Sequence, residues 1–91
     1  MDNRVTINVG LRNIVYSEKG QDAYCPIANA IADATGDACH VGAPDGQPIA
    51  LLYKPIKGKD VLLLPQSVMD YWQAFDAGQP VHPTSFTALA V

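Results

Sequence analysis

A chain of 91 residues, 48% hydrophobic and 16% charged, has apolar surface to bury and too little charge to stay expanded, so it reads as one globular domain. Six basic against nine acidic residues, net −3, argue against the phosphate-neutralising face of a duplex-DNA binder, and the acidic excess is too small for a DNA mimic. Apolar runs such as residues 61–64 are far short of a bilayer, and MDNRVTINVG lacks the charged-then-apolar layout of a signal peptide; a cytoplasmic setting without membrane contact is expected, with Cys25 and Cys39 as thiols.

Val5, Ile7 and Val9 alternate with Thr6 and Asn8, the pattern of a half-buried strand that Gly10 ends. Residues 11–16 fit either one helical turn or a packed loop. SEKGQD, residues 17–22, reads as an exposed loop. Pro26 is expected at the first position of a helix, where its missing N–H costs nothing, with Cys25 as the cap. Ile27, Ala30, Ile31 and Ala34 follow at i, i+3, i+4, i+7, one apolar stripe, and Gly36 is the expected stop. Residues 38–41 form a short strand candidate, and GAPDGQP, residues 42–48, a turn or loop.

Residues 49–53 and 61–64 predict two strands joined at a Lys57-Gly58 hairpin centre, and the unbroken Leu run suggests that the second is covered on both faces. A second helix opens after Leu64-Pro65, with Val68, Tyr71, Trp72 and Phe75 as its stripe and Gly78 as its end. Pro80 and Pro83 bracket an extended segment outside any ladder, and residues 85–89 alternate weakly enough to suggest a last strand. The order implies a small α+β domain: two helices packed on an antiparallel or mixed sheet of four to five strands, over residues 1–91.

Two stretches carry a resemblance: CPIANAI at residues 25–31, and the run from Leu64-Pro65 through FDAGQPVHPTSF at residues 75–86. They resemble a group of small uncharacterised proteins encoded by bacteriophages and prophages. In that group a Cys-Pro opens an alanine-rich helix, and a Leu-Pro opens a second helix that ends in Phe-Asp-Ala-Gly before Pro-Val-x-Pro and a Phe. The resemblance covers about half the chain. It implies a phage setting and a small α+β domain, and it supplies no activity.

Cys25 at a helix N-terminus has the position of an activated thiolate, but a nucleophile also needs a base, and only His40 or His82 would serve if folding brought one close. The other reading is a small buried cap. Cys25, Cys39, His40 and His82 lack zinc-module spacing, and adjacent Cys39 and His40 in a strand point to opposite faces, so neither metal nor cofactor is expected. Asp70 and Asp76, six apart, are not a same-face carboxylate pair. No Walker or G-x-G-x-x-G pattern occurs.

The remaining candidates are Lys54, Lys57 and Lys59 around the hairpin, a solvated tip or a contact for an acidic partner or phosphate, and Tyr71 and Trp72 of the second helix, whose helical spacing reads first as core and otherwise as an interface. The leading expectation is a non-enzymatic accessory protein that binds and inhibits a host or defence protein, of the anti-CRISPR or another anti-defence type, through those five residues. A homodimer is compatible with so small a domain. One alternative is an oligomer that sequesters a nucleotide, against which stands the scarcity of arginine, only Arg4 and Arg12. The other is a thiol-dependent enzyme using Cys25.

Overall fold

The computed structural model describes residues 2–17 and 25–91. The expected loop at 17–22 therefore lies, apart from Ser17, outside the described residues. Among them the chain forms β1 (Arg4–Val9), α1 (Leu11–Val15), α2 (Pro26–Thr35), β2 (Cys39–Gly42), a 3-10 turn (Pro44–Gly46), β3 (Ile49–Ile56), β4 (Lys59–Leu63), α3 (Gln66–Asp76) and β5 (Thr84–Ala90). The strands make one antiparallel sheet in the order β1-β5-β4-β3-β2. The expected α+β class holds. The ambiguous stretch at 11–16 is a short helix, and the weakly alternating last strand is an interior one, paired on both sides by β1 and β4.

The local chemistry explains the elements. Cys25 has extended backbone, φ −74° and ψ 164°, and its Sγ accepts a hydrogen bond from the Ala28 N–H at 3.4 Å, with Pro26 as the first helical residue. Gly36 ends α2 in the left-handed region at φ 85°, its N–H donating to Ala32 O at 2.7 Å. α3 ends in a Schellman motif: Gly78 at φ 80° donates to Phe75 O, and the Gln79 N–H reaches back to Ala74 O at 2.9 Å. The Phe-Asp-Ala-Gly stretch is thus a helix stop. Lys57 and Gly58, both at positive φ (53° and 75°), make the two-residue turn between the paired Ile56 and Lys59.

α2 lies across β1, β2 and β3, and α1 and α3 pack beside it. The core forms between this helical layer and one face of the sheet. Ile7, Ile27, Ile31 and Leu62 are its largest fully buried side chains, with Ala50, Ala88 and Ala90 as small floor positions. Tyr71 and Trp72 pack half-buried against it, and the Tyr71 hydroxyl donates to His82 O.

Two expectations need correction. Ala34 is exposed: α2 buries its first two turns broadly, through Pro26, Ile27, Ala28, Ala30 and Ile31, while Asp33 and Ala34 in its last turn face solvent. β4 is not covered on both faces. Leu62 and Leu64 point into the core, but Val61 and Leu63 are only half-buried on the opposite side. The reason is topological. Strand side chains alternate between faces, and the buried sides of all three described helices lie on one face of the sheet, so an unbroken apolar strand must show half its side chains on the other.

Candidate functional site: two apolar surfaces outside the core

The first surface is the open face of the sheet. Residues directly opposite each other on neighbouring strands share a face. Leu89 of β5 pairs with Leu63 of β4, and Leu63 with Ile49 of β3, which gives one apolar row. Val61 pairs with Leu51, and the Val91 N–H donates to Val61 O at 3.0 Å, which gives a second row, continued by His40 of β2. Tyr53 extends the block along β3. Its hydroxyl is hydrogen-bonded to His40 Nε2 at 2.8 Å, and the two rings meet edge to face with centroids 5.5 Å apart. Leu51, Tyr53, Leu89 and Val91 are between 45% and 64% exposed, values that no core role explains. Beyond the block, β1 and the start of β5 carry neutral polar groups, Thr6, Asn8, Ser85 and Thr87. Arg4 closes the β1 edge in an ion pair with Asp2, Nε to Oδ1 3.1 Å. The hydrogen bonds to Arg4, first from its backbone N–H, hold the Asp2 carboxyl below its ordinary range.

The second surface is on α1. Leu11 and Val15, one turn apart, and Tyr16 beside them are 64–71% exposed. α1 is held by its other side. Buried Asn13 accepts from the Gly10 N–H at 2.8 Å through Oδ1 and donates through Nδ2 to Asp33 Oδ2 at 2.7 Å. Its backbone carbonyl accepts from Asn29 Nδ2 at 3.1 Å and from the Ser17 hydroxyl. The polar side of α2, Asn29 and Asp33, thus clamps α1 so that its apolar ridge faces outward. A cleft of about 240 Å³ opens beside it, lined by Arg12, Asn13, Tyr16, Asn29, Ala32 and Asp33.

The candidates named from the sequence sit as follows. The Lys54 ammonium lies at the C-terminal end of α2, close enough that a Cβ on Gly36 would be 3.4 Å from Nζ, a position favoured by the helix dipole. Lys57 donates through Nζ to Asp2 O at 3.1 Å, tying the hairpin to the β1 edge. Lys59 is exposed at the border of the open face. Tyr71 and Trp72 are the half-buried pair on α3 described above. The structure therefore does not gather the five residues into one surface: the lysines surround the hairpin end of the sheet, while the aromatics lean on the core.

Cys25 is buried and serves as the α2 cap; it also lines a cleft of about 140 Å³ with Met69, Trp72, Gln73 and Asp76. Cys39 points into the core and donates to Ala28 O at 3.6 Å, while His40 next to it points to the open face, as adjacent strand residues must. Neither cysteine is in a disulfide. Among the described residues no three His, Cys, Asp or Glu side chains come together as a metal site, and no helix is long and apolar enough to cross a membrane.

The apolar residues of the open face and of α1 were missed as candidates, although a signal for the first was in the sequence. β3 and β4 are apolar at both alternating positions, and the amphipathic helices are too few to cover two faces of a five-stranded sheet. Compared with protein-family models, curated proteins and solved structures, the chain has no match.

Proposed function

We propose that this chain is a non-enzymatic binding protein that acts by occupying a surface of another protein, in the setting of a phage accessory factor that inhibits a host or defence protein. The observation that carries the reading is the α1 ridge. A five-residue helix and its C-cap present Leu11, Val15 and Tyr16 to solvent while a polar clamp through Asn13 fixes their orientation. Aromatic and aliphatic anchors on a rigid support, next to a concave polar cleft, are what a protein interface centre needs. Arg12 and Asp33 at the cleft supply charges of both signs for orienting a partner. The host or defence character of the partner rests on the resemblance of the Cys-Pro and Phe-Asp-Ala-Gly stretches and is analogy.

The test is capture from bacterial lysate by the tagged chain, read by mass spectrometry, with Val15→Asp in parallel. The wild type is expected to retain a protein in stoichiometric amount. The variant is expected to lose at least about tenfold of it, the cost of placing a charge at an interface centre, while keeping the wild-type circular dichroism. Equal capture by the folded variant, or no stoichiometric protein with the wild type, would count against the reading.

A further inference from the structure

We infer that the open face of the sheet is a homodimer interface, and that its occupant is a second copy of this chain packed face to face. β4 is the middle strand of the five, and the two apolar rows are balanced about it, with Tyr53 outside them on β3. The row Leu89–Leu63–Ile49 and the row Val91–Val61–Leu51 are apolar from either end. A twofold axis running along β4 exchanges the strands on its two sides. It lays Leu63 over Leu63, Val61 over Val61, Leu89 over Ile49 and Val91 over Leu51 of the second copy, so each apolar side chain of the two rows meets another.

The outer strands agree with the same axis. It places Arg4 of β1 over Gly42 of β2, where no side chain stands in its way, and Asp2 over the imidazole of His40, an acceptor over a group with a donor nitrogen. A groove lined by His40, Pro44, Ile49 and Leu51 lies on the same side and receives Leu89 of the second copy. Within the two rows no side chain carries a fixed charge, and Arg4 is already paired with Asp2; Lys59, the next position of β4 on this face, lies on the axis only at the exposed border, where the ammonium groups of both copies stay in solvent. Self-complementarity of this kind is the requirement of an isologous contact.

Size and need point the same way. Five strands about 4.8 Å apart, with about six residues of about 3.3 Å each, give a face on the order of 500 Å² in plane. With side-chain relief this reaches the lower end of the roughly 600–1,000 Å² per partner that specific interfaces bury. Two one-sided sheets packed about 10 Å apart are an ordinary sandwich core, and a chain this small gains from sharing one. The α1 ridge lies on the helical side and remains accessible in such a dimer, so the dimer and the binding of another protein are independent.

The experiment is sedimentation and light scattering of the purified full chain from about 1 to 200 µM, with Leu51→Arg, Leu89→Arg and, as a milder change, Leu51→Thr. The wild type is expected to run as a dimer that dissociates on dilution. Twofold symmetry repeats each substitution, so Leu51→Arg and Leu89→Arg are expected to raise the dissociation constant by about a hundredfold. Leu51→Thr, which keeps strand propensity, is expected to weaken the dimer while retaining the fold. Asp70→Ala, on exposed α3, is expected to leave it unchanged. A wild type that is monomeric throughout overturns the inference, as does a dimer that survives both arginines, or a monomer whose open face is protected only by a different protein.

Discussion

Replacing Ile31 with alanine is expected to remove about 3 kcal/mol of stability and to lower the urea midpoint by about 2–3 M. Ile31 is fully buried in the second turn of α2, the helix that lies across three strands and seals the core. The substitution deletes three carbons from a site whose floor is alanine, Ala50, Ala88 and Ala90, and floor residues with no side chain to reorient cannot fill the space. Alanine is the better helix former by a few tenths of a kcal/mol, which offsets little of the loss. Against a total of about 5–14 kcal/mol for 91 residues, the change takes a large fraction. Val15→Ala, on the exposed ridge, is expected to shift the midpoint by no more than a few tenths of a unit. A loss under about 1 kcal/mol for Ile31→Ala would mean that α2 is not seated on the sheet as described.

The second large effect is alkaline. Burial, with the neighbouring Cys25 adding to it, pushes the Cys39 thiol from its ordinary 9.0 up to about 12. The folded chain therefore keeps this proton where the unfolded chain has released it. Between pH 9 and 12 the unfolded state binds fewer protons, so stability is full below pH 9 and declines as pH rises, by at most about 1.4 kcal/mol per pH unit. Tyr71, also raised by burial, adds to the decline at higher pH. Urea midpoints of the wild type are expected to fall steadily from pH 9 to 11, and those of Cys39→Ala to fall less steeply over the same range. Parallel curves would contradict the assignment. The same burial makes native Cys39 a poor nucleophile, whatever its neighbours.

What could be read from the sequence was local. The Cys25 cap with Pro26 behind it, the Gly36 and Gly78 stops, the Lys57-Gly58 turn and the alternation of β1 are each set by the backbone preferences of a few adjacent residues, and each is where the spacing put it. The misreadings came from long-range packing. Leu62–Leu63–Leu64 looks doubly covered because a run of leucines carries no sign of which neighbours exist. Only the strand order, with all three described helices on one side, shows that Leu63 faces outward. Residues 11–16 were undecided because their helix depends on Asn29 and Asp33, sixteen and twenty residues further along, clamping Asn13. The lysine cluster was visible as composition, but its contacts, Lys54 at the end of α2 and Lys57 on Asp2, depend on tertiary placement that spacing does not encode.

The most direct test of the binding reading is hydrogen–deuterium exchange of the chain alone and of the chain holding the protein it captures. Backbone amides of residues 11–16 sit on a short exposed helix and are expected to exchange quickly in the isolated chain. In the complex they are expected to become strongly protected, while the Lys54–Gly58–Lys59 hairpin end stays unchanged. Protection confined to the hairpin or to α3, with residues 11–16 exchanging as before, would contradict it and return Lys54, Lys57, Lys59, Tyr71 and Trp72 to first place as the docking residues.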